Sequence, residues 1–94
     1  MRPEESLELR VLRFIEELLK ISVPGDRPVD ANMVLERMHL GEEAKDEVAQ
    51  AMSDLWEKGD VELATPAPLT GDGKVLDVDV KAITPQGMQR LWED

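Results

Sequence analysis

Ninety-four residues carrying a formal net charge of -10 make a single small acidic domain spanning residues 1–94, and a content of 41% hydrophobic against 34% charged residues fits a globular rather than a disordered protein. The complete lack of cysteine excludes disulfides, thiolate catalysis and cysteine-bound metals. No apolar run approaches the ~20 residues that span a bilayer, and the charged start Met1-Arg2-Pro3-Glu4-Glu5 is unlike a signal peptide, so a cytoplasmic protein without membrane contact is expected.

The first helix is expected from about Pro3 to Ser22, with Pro3 in its first turn and Glu4 and Glu5 complementing the positive helix end. Leu7, Val11, Phe14, Ile15, Leu18 and Ile21 recur at three- and four-residue spacing and mark its buried face. Leu9 points nearly opposite that face at 100° per residue, and reads either as an exposed leucine or as a dimer contact. Val23-Pro24-Gly25-Asp26-Arg27-Pro28 reads as a loop. Asp30 is an N-cap for a second helix with the stripe Ala31, Val34, Leu35 and Met38, broken at Leu40-Gly41. His39, the sole histidine, lies at that helix end without a partner for catalysis, and a surface position is expected.

A third helix runs from about Glu42 to Lys58 with Ala44, Val48, Ala51, Met52 and Leu55 inward, and Gly59 stops it. Leu55 is expected to be fully buried between the first helix and the sheet. The period then drops from 3.6 to 2. Val61 and Leu63 alternate with Asp60, Glu62 and Ala64, and Leu76, Val78, Val80 and Ala82 alternate with Asp77, Asp79 and Lys81, predicting strands near 60–65 and 75–83 with these acids toward solvent. The turn-rich stretch Thr65 to Lys74 joins them. Thr84-Pro85 opens a last short helix carrying Met88, Leu91 and Trp92, with Trp92 packed on the first helix. Trp56, at the edge of the third helix's apolar face, reads as core or as a partly exposed interface anchor.

Met52-Ser53-Asp54-Leu55-Trp56-Glu57-Lys58-Gly59-Asp60-Val61-Glu62 resembles the recognition helix running into the wing in MarR- and PadR-like regulators, and Ile83-Thr84-Pro85-Gln86-Gly87 resembles the Leu-Thr-Pro-x-Gly that follows their second wing strand. The resemblance covers roughly residues 7 to 94. It implies an α+β winged helix-turn-helix: three helices, a two-stranded β wing and a short C-terminal helix. The turn Leu40-Gly41-Glu42-Glu43-Ala44 departs from it by being longer. The family also implies a modest homodimer seam through the terminal helices, for which Leu9, Trp56 and Trp92 are the candidates.

Charge divides the functions open to such a fold. Residues 42–58 hold six acids against two bases and residues 59–81 five against two, so seven of the ten net negative charges fall on the helix and wing that would meet DNA. Setting Val48, Met52 and Leu55 inward leaves Lys45, Asp46, Glu47, Gln50 and Asp54 outward, while the wing offers Lys74 among Asp72, Asp77 and Asp79. Carboxylates repel the phosphates whose neutralisation drives duplex binding. These acids read either as an ordinary solvated surface or as an acidic face for a basic partner protein, and the expected function is non-enzymatic protein–protein interaction through an acidic surface built from these residues and Trp56. The alternative is a small DNA-binding transcriptional regulator, which a basic strip of Arg10, Arg13, Lys20, Arg27 and Arg37 would favour. No cofactor is expected. Asp77 and Asp79, with Asp60 or Glu62 across from them, read as a strand's solvated face rather than a metal site.

Overall fold

The computed structural model describes residues 6–21 and 28–93. The expected helix start at Pro3 and the loop residues 23–27, including Arg27, lie outside the described residues. The described chain is α+β, with four α-helices and four short antiparallel strands in two pairs. No helix among the described residues is long and apolar enough to cross a membrane.

Helix α1 (Leu7–Ile21) is capped by Ser6, whose Oγ accepts from Leu9 N at 3.2 Å. It buries Leu9, Val11, Leu12, Ile15 and Leu18. Two expectations fail here. Leu9 is 4% exposed, whereas Ile21, assigned to the buried face, is 62% exposed. The reason is that α1 is packed by α2 and α3 and also by β4 (Val80–Ile83) and α4 (Pro85–Glu93), so it is covered on more flanks than a single apolar stripe describes. Burial also removes Leu9 from any homodimer seam.

Helix α2 (Ala31–Met38) behaves as its sequence dictates. Asp30 Oδ1 accepts from Met33 N at 2.9 Å, and Ala31, Val34, Leu35 and Met38 are all buried. It ends one residue before the expected break, at His39, which is exposed and left-handed at φ 60°. A single 3-10 turn, Glu42–Ala44, accounts for the longer connection and leads into α3 (Lys45–Glu57). Val48, Ala51, Met52 and Leu55 are buried as predicted, joined by Ala49 and Ser53. Gly59, at φ 86°, takes the left-handed position that lets Asp60 N reach Leu55 O at 2.9 Å and closes the helix.

The expected two-stranded wing is instead two pairs of short strands: β1 (Val61–Leu63) pairs with β4, and β2 (Leu69–Gly71), which lies inside the stretch expected to be a turn, pairs with β3 (Lys74–Asp77). Asp72 and Gly73, at φ 52° and 78°, make the two-residue turn between β2 and β3, where mirror-image turn geometry suits the strand twist. Val29 bridges the far side of Val80 through two 2.8 Å backbone hydrogen bonds. The expected single strand over 75–83 is broken at Val78-Asp79. Val75, Val78 and Val80 point inward, and Leu76, assigned to the core, is 39% exposed. Register shifts in both pairs, and Asp77 Oδ1 accepting from Val78 N at 2.8 Å, change the phase of the alternation.

Helix α4 begins where the sequence motif placed it, and the structure supplies the reason. Thr84 Oγ1 donates to Gly59 O at 2.6 Å and accepts from Gly87 N at 3.1 Å, while Gln86 Nε2 donates to Lys58 O at 2.6 Å. A Cβ on Gly87 would lie 2.2 Å from Asp60 O, so only glycine lets α4 approach the α3–β1 junction this closely. Asp60, expected toward solvent, is fully buried there and paired with Arg90. Leu91 packs against the core, but Trp92, expected on α1, is 79% exposed.

Candidate functional site

The first turn of α1, the outer face of α3 and strand β3 border a shallow, open groove of about 440 Å³. The amphipathic pattern of α3 creates its wall. With Val48, Met52 and Leu55 turned into the core, Asp46, Glu47, Gln50 and Asp54 take the opposite and flanking positions. The Asp72-Gly73 turn brings β3 back so that Lys74 and Val75 face α3. Leu7, Ala51 and Val75 form an apolar floor continuous with the core. Among the described lining residues, Glu8, Asp46, Glu47 and Asp54 stand around it against one cation, Lys74.

Among the described residues, the rim is only partly neutralised. Lys74 Nζ lies 3.2 Å from Asp46 Oδ2, and Lys58 Nζ lies 2.7 Å from Glu8 Oε1. Gln50 Nε2 donates to Asp54 Oδ1 at 3.0 Å, which orients that carboxylate without cancelling its charge. Among the described residues, Glu47 and Asp54 have no cation partner.

Five of the ten residues expected to form an interaction surface thus meet in this groove: Asp46, Glu47, Gln50, Asp54 and Lys74. The others are elsewhere. Lys45 is half-buried at the start of α3 and Asp72 is exposed at the tip turn. Trp56 is half-buried, packs against the core and does not line this groove. Asp77 and Asp79, expected on the outer face of the wing, instead converge with Asp30, one carboxylate oxygen from each lying within 4.8 Å of the others. Neither Asp60 nor Glu62 joins them, because Asp60 is buried against Arg90 and Glu62 lies 3.9 Å from Lys81. Asp77 Oδ1 accepts from Ala31 N at 3.1 Å and Val78 N at 2.8 Å, so the cluster ties the start of α2 to the break between β3 and β4.

Burial, followed by the charges of Asp77 and Asp30, holds the Asp79 carboxyl above its ordinary range. Its ionised form therefore opposes folding at neutral pH. Between the unfolded and the raised folded pKa the folded state binds more protons, and this site's contribution to stability rises as pH falls. Asp79→Asn is expected to raise the Tm at pH 7, with the gain over the native protein shrinking as pH is lowered through that window. Thermal melts showing a pH-independent effect, or a loss at pH 7, would contradict the charge assignment.

Of the cations that could form a basic strip, Arg37 pairs with Glu17 and Lys20 Nζ lies 3.7 Å from Glu16 Oε2, while Arg10 and Arg13 are exposed. Leu7, Glu8 and Val75 are groove residues that sequence periodicity did not reveal, since α1, α3 and β3 meet only through the tertiary fold. Comparison of the chain with known protein families, with curated proteins and with solved structures found no match.

Proposed function

We propose that this chain is a non-enzymatic interaction module of winged-helix architecture that binds a basic segment of a partner protein in the groove between α1, α3 and β3. The observation that carries this reading is the groove itself: four carboxylates and one lysine around an apolar floor. An apolar floor draws side chains out of water, and the acidic rim selects cationic company and speeds encounter. In the winged-helix reading α2 and α3 are the helix-turn-helix, Val29 is the short strand that joins β4, and β2–β3 is the wing tip. The element order and the Thr84-Pro85-Gln86-Gly87 joint support it. The lack of cysteine and the exposed, helix-capping position of the sole histidine support a non-enzymatic role.

The same surface opposes duplex DNA. Phosphates approaching α3 would meet Asp46, Glu47 and Asp54, with Lys74 already engaged by Asp46. Screening acts beyond about 8 Å at 0.15 M salt, and groove contacts lie inside that distance. Fluorescence anisotropy with labelled mixed-sequence duplexes and with a labelled lysine-rich peptide tests both sides. The native protein is expected to leave the duplexes unbound and to bind the peptide with an association rate that falls as salt rises. Asp46→Lys with Glu47→Lys should weaken peptide binding by about tenfold or more, whereas Glu36→Lys with Glu62→Lys, the same change in net charge away from the groove, should leave most of it. Tight duplex binding by the native protein, lost on reversing Asp46 and Glu47, would overturn the proposal in favour of a DNA-binding regulator.

A further inference from the structure

The groove's acids are spaced for one kind of segment. Glu47, Gln50 and Asp54 follow one another at three and four residues along α3, so they form a single row on that helix. Seven residues at about 1.5 Å each place Glu47 and Asp54 about 10.5 Å apart along the axis. These two lack a cation among the described residues, since Lys74 serves Asp46 and Lys58 serves Glu8. On the flank of that row away from Gln50 the floor is low, because Ala51 ends at Cβ and the largely buried Val75 is short. A small residue on a helix face lets another helix come within the usual 8–10 Å interaxial distance.

We infer that the groove receives an amphipathic α-helix of a basic partner protein, laid along α3, with Lys or Arg at positions i and i+7 meeting Glu47 and Asp54 and aliphatic side chains at i+3 and i+4 seated over Ala51 and Val75. This rests on the reading of the groove as a protein-binding surface and adds the form and spacing of the occupant. The periods select the helix. Residues i and i+7 of a helix lie on one face about 10.5 Å apart, matching the row. Same-face residues of a strand recur at about 6.6 and 13 Å, and neither spacing matches. The intervening i+3 and i+4 positions lie on the same helical face as i and i+7, where an apolar floor meets them.

Three peptides of about 16 residues, of one composition and of a length that can hold a helix, test the spacing. The first carries Lys at i and i+7 with Leu at i+3 and i+4. The second moves the distal Lys to i+5, and the third swaps a proline at the C-terminal end of the first with its central alanine. Binding is read by anisotropy and by amide shifts of the labelled protein. The first peptide is expected to bind about tenfold tighter than either of the others and to shift residues of α3 and β3. Glu47→Lys should lose that preference, and a first peptide with its proximal Lys changed to Glu should restore binding to Glu47→Lys. Equal binding of all three, still weakened by Asp46→Lys with Glu47→Lys, would overturn the helical occupant while leaving the acidic groove as a protein-binding surface. Failure of every peptide to bind would overturn both.

Discussion

Arg90→Met is expected to lower the unfolding free energy by about 3 kcal/mol, at the lower end of the range for stripping one partner from a buried ion pair. The Asp60 carboxylate is fully buried where α3, β1 and α4 meet, and it depends on Arg90 and on Gln86 Nε2 at 3.0 Å. Methionine keeps much of the aliphatic stem and removes the guanidinium, leaving a buried charge with one neutral donor. The Arg90 side chain is 32% exposed, and water there moderates the loss. Asp60→Asn combined with Arg90→Met should recover part of it, because the remaining group no longer carries a charge that needs compensation. Removing the exposed pair Lys81–Glu62, 3.9 Å apart, should cost under about 1 kcal/mol by comparison. Urea melts of the four proteins check the ordering. A loss from Arg90→Met no larger than that from the exposed pair would show that Asp60 is not held by this contact.

Leu55→Ala should cost about 2–5 kcal/mol, the sum of lost transfer energy and the cavity left behind. Leu55 is fully buried on α3, the helix that contacts α1, α2, β1 and β3, so few of its neighbours are free to relax into the space. Alanine favours the helix slightly, so backbone propensity does not contribute to the loss. In a domain whose whole stability is of the order of 5–15 kcal/mol, this change threatens folding at ambient temperature. Leu69→Ala, at a site 62% exposed, is the matched control and should stay within about 0.5 kcal/mol. The urea midpoint should fall for Leu55→Ala with an unchanged slope. A loss under about 1 kcal/mol would contradict the packing described for α3.

The elements that were legible from sequence are those decided within a few residues of chain. Asp30 caps α2, Gly59 ends α3 and Thr84 caps α4, because each satisfies backbone groups three to five positions away. The inward stripes of α2 and α3 were legible for a related reason. Each of these helices offers one apolar face, and period 3.6 suffices to find it. The outward acids of α3 follow directly, and with them half of the candidate surface.

What sequence alone determined, then, was the α+β class, the order of the four helices, the caps of α2 and α4, the stop of α3 and the acidic outer face of α3. Tertiary structure decided the rest, where a residue's environment is set by chain far away. Leu9 is buried because neighbours cover a second flank of α1, and Trp92 is exposed because α4 turns Leu91 inward instead. Asp77 left the wing's open face because its carboxylate accepts from Ala31 N, 46 residues distant, and Asp60 was drawn inside by Arg90, 30 residues on. The groove exists only because β3 folds back on α3 beside the first turn of α1. Periodicity records which face of an element is apolar, but a carboxylate's role depends on which donor the fold brings to it, and no local pattern carries that information.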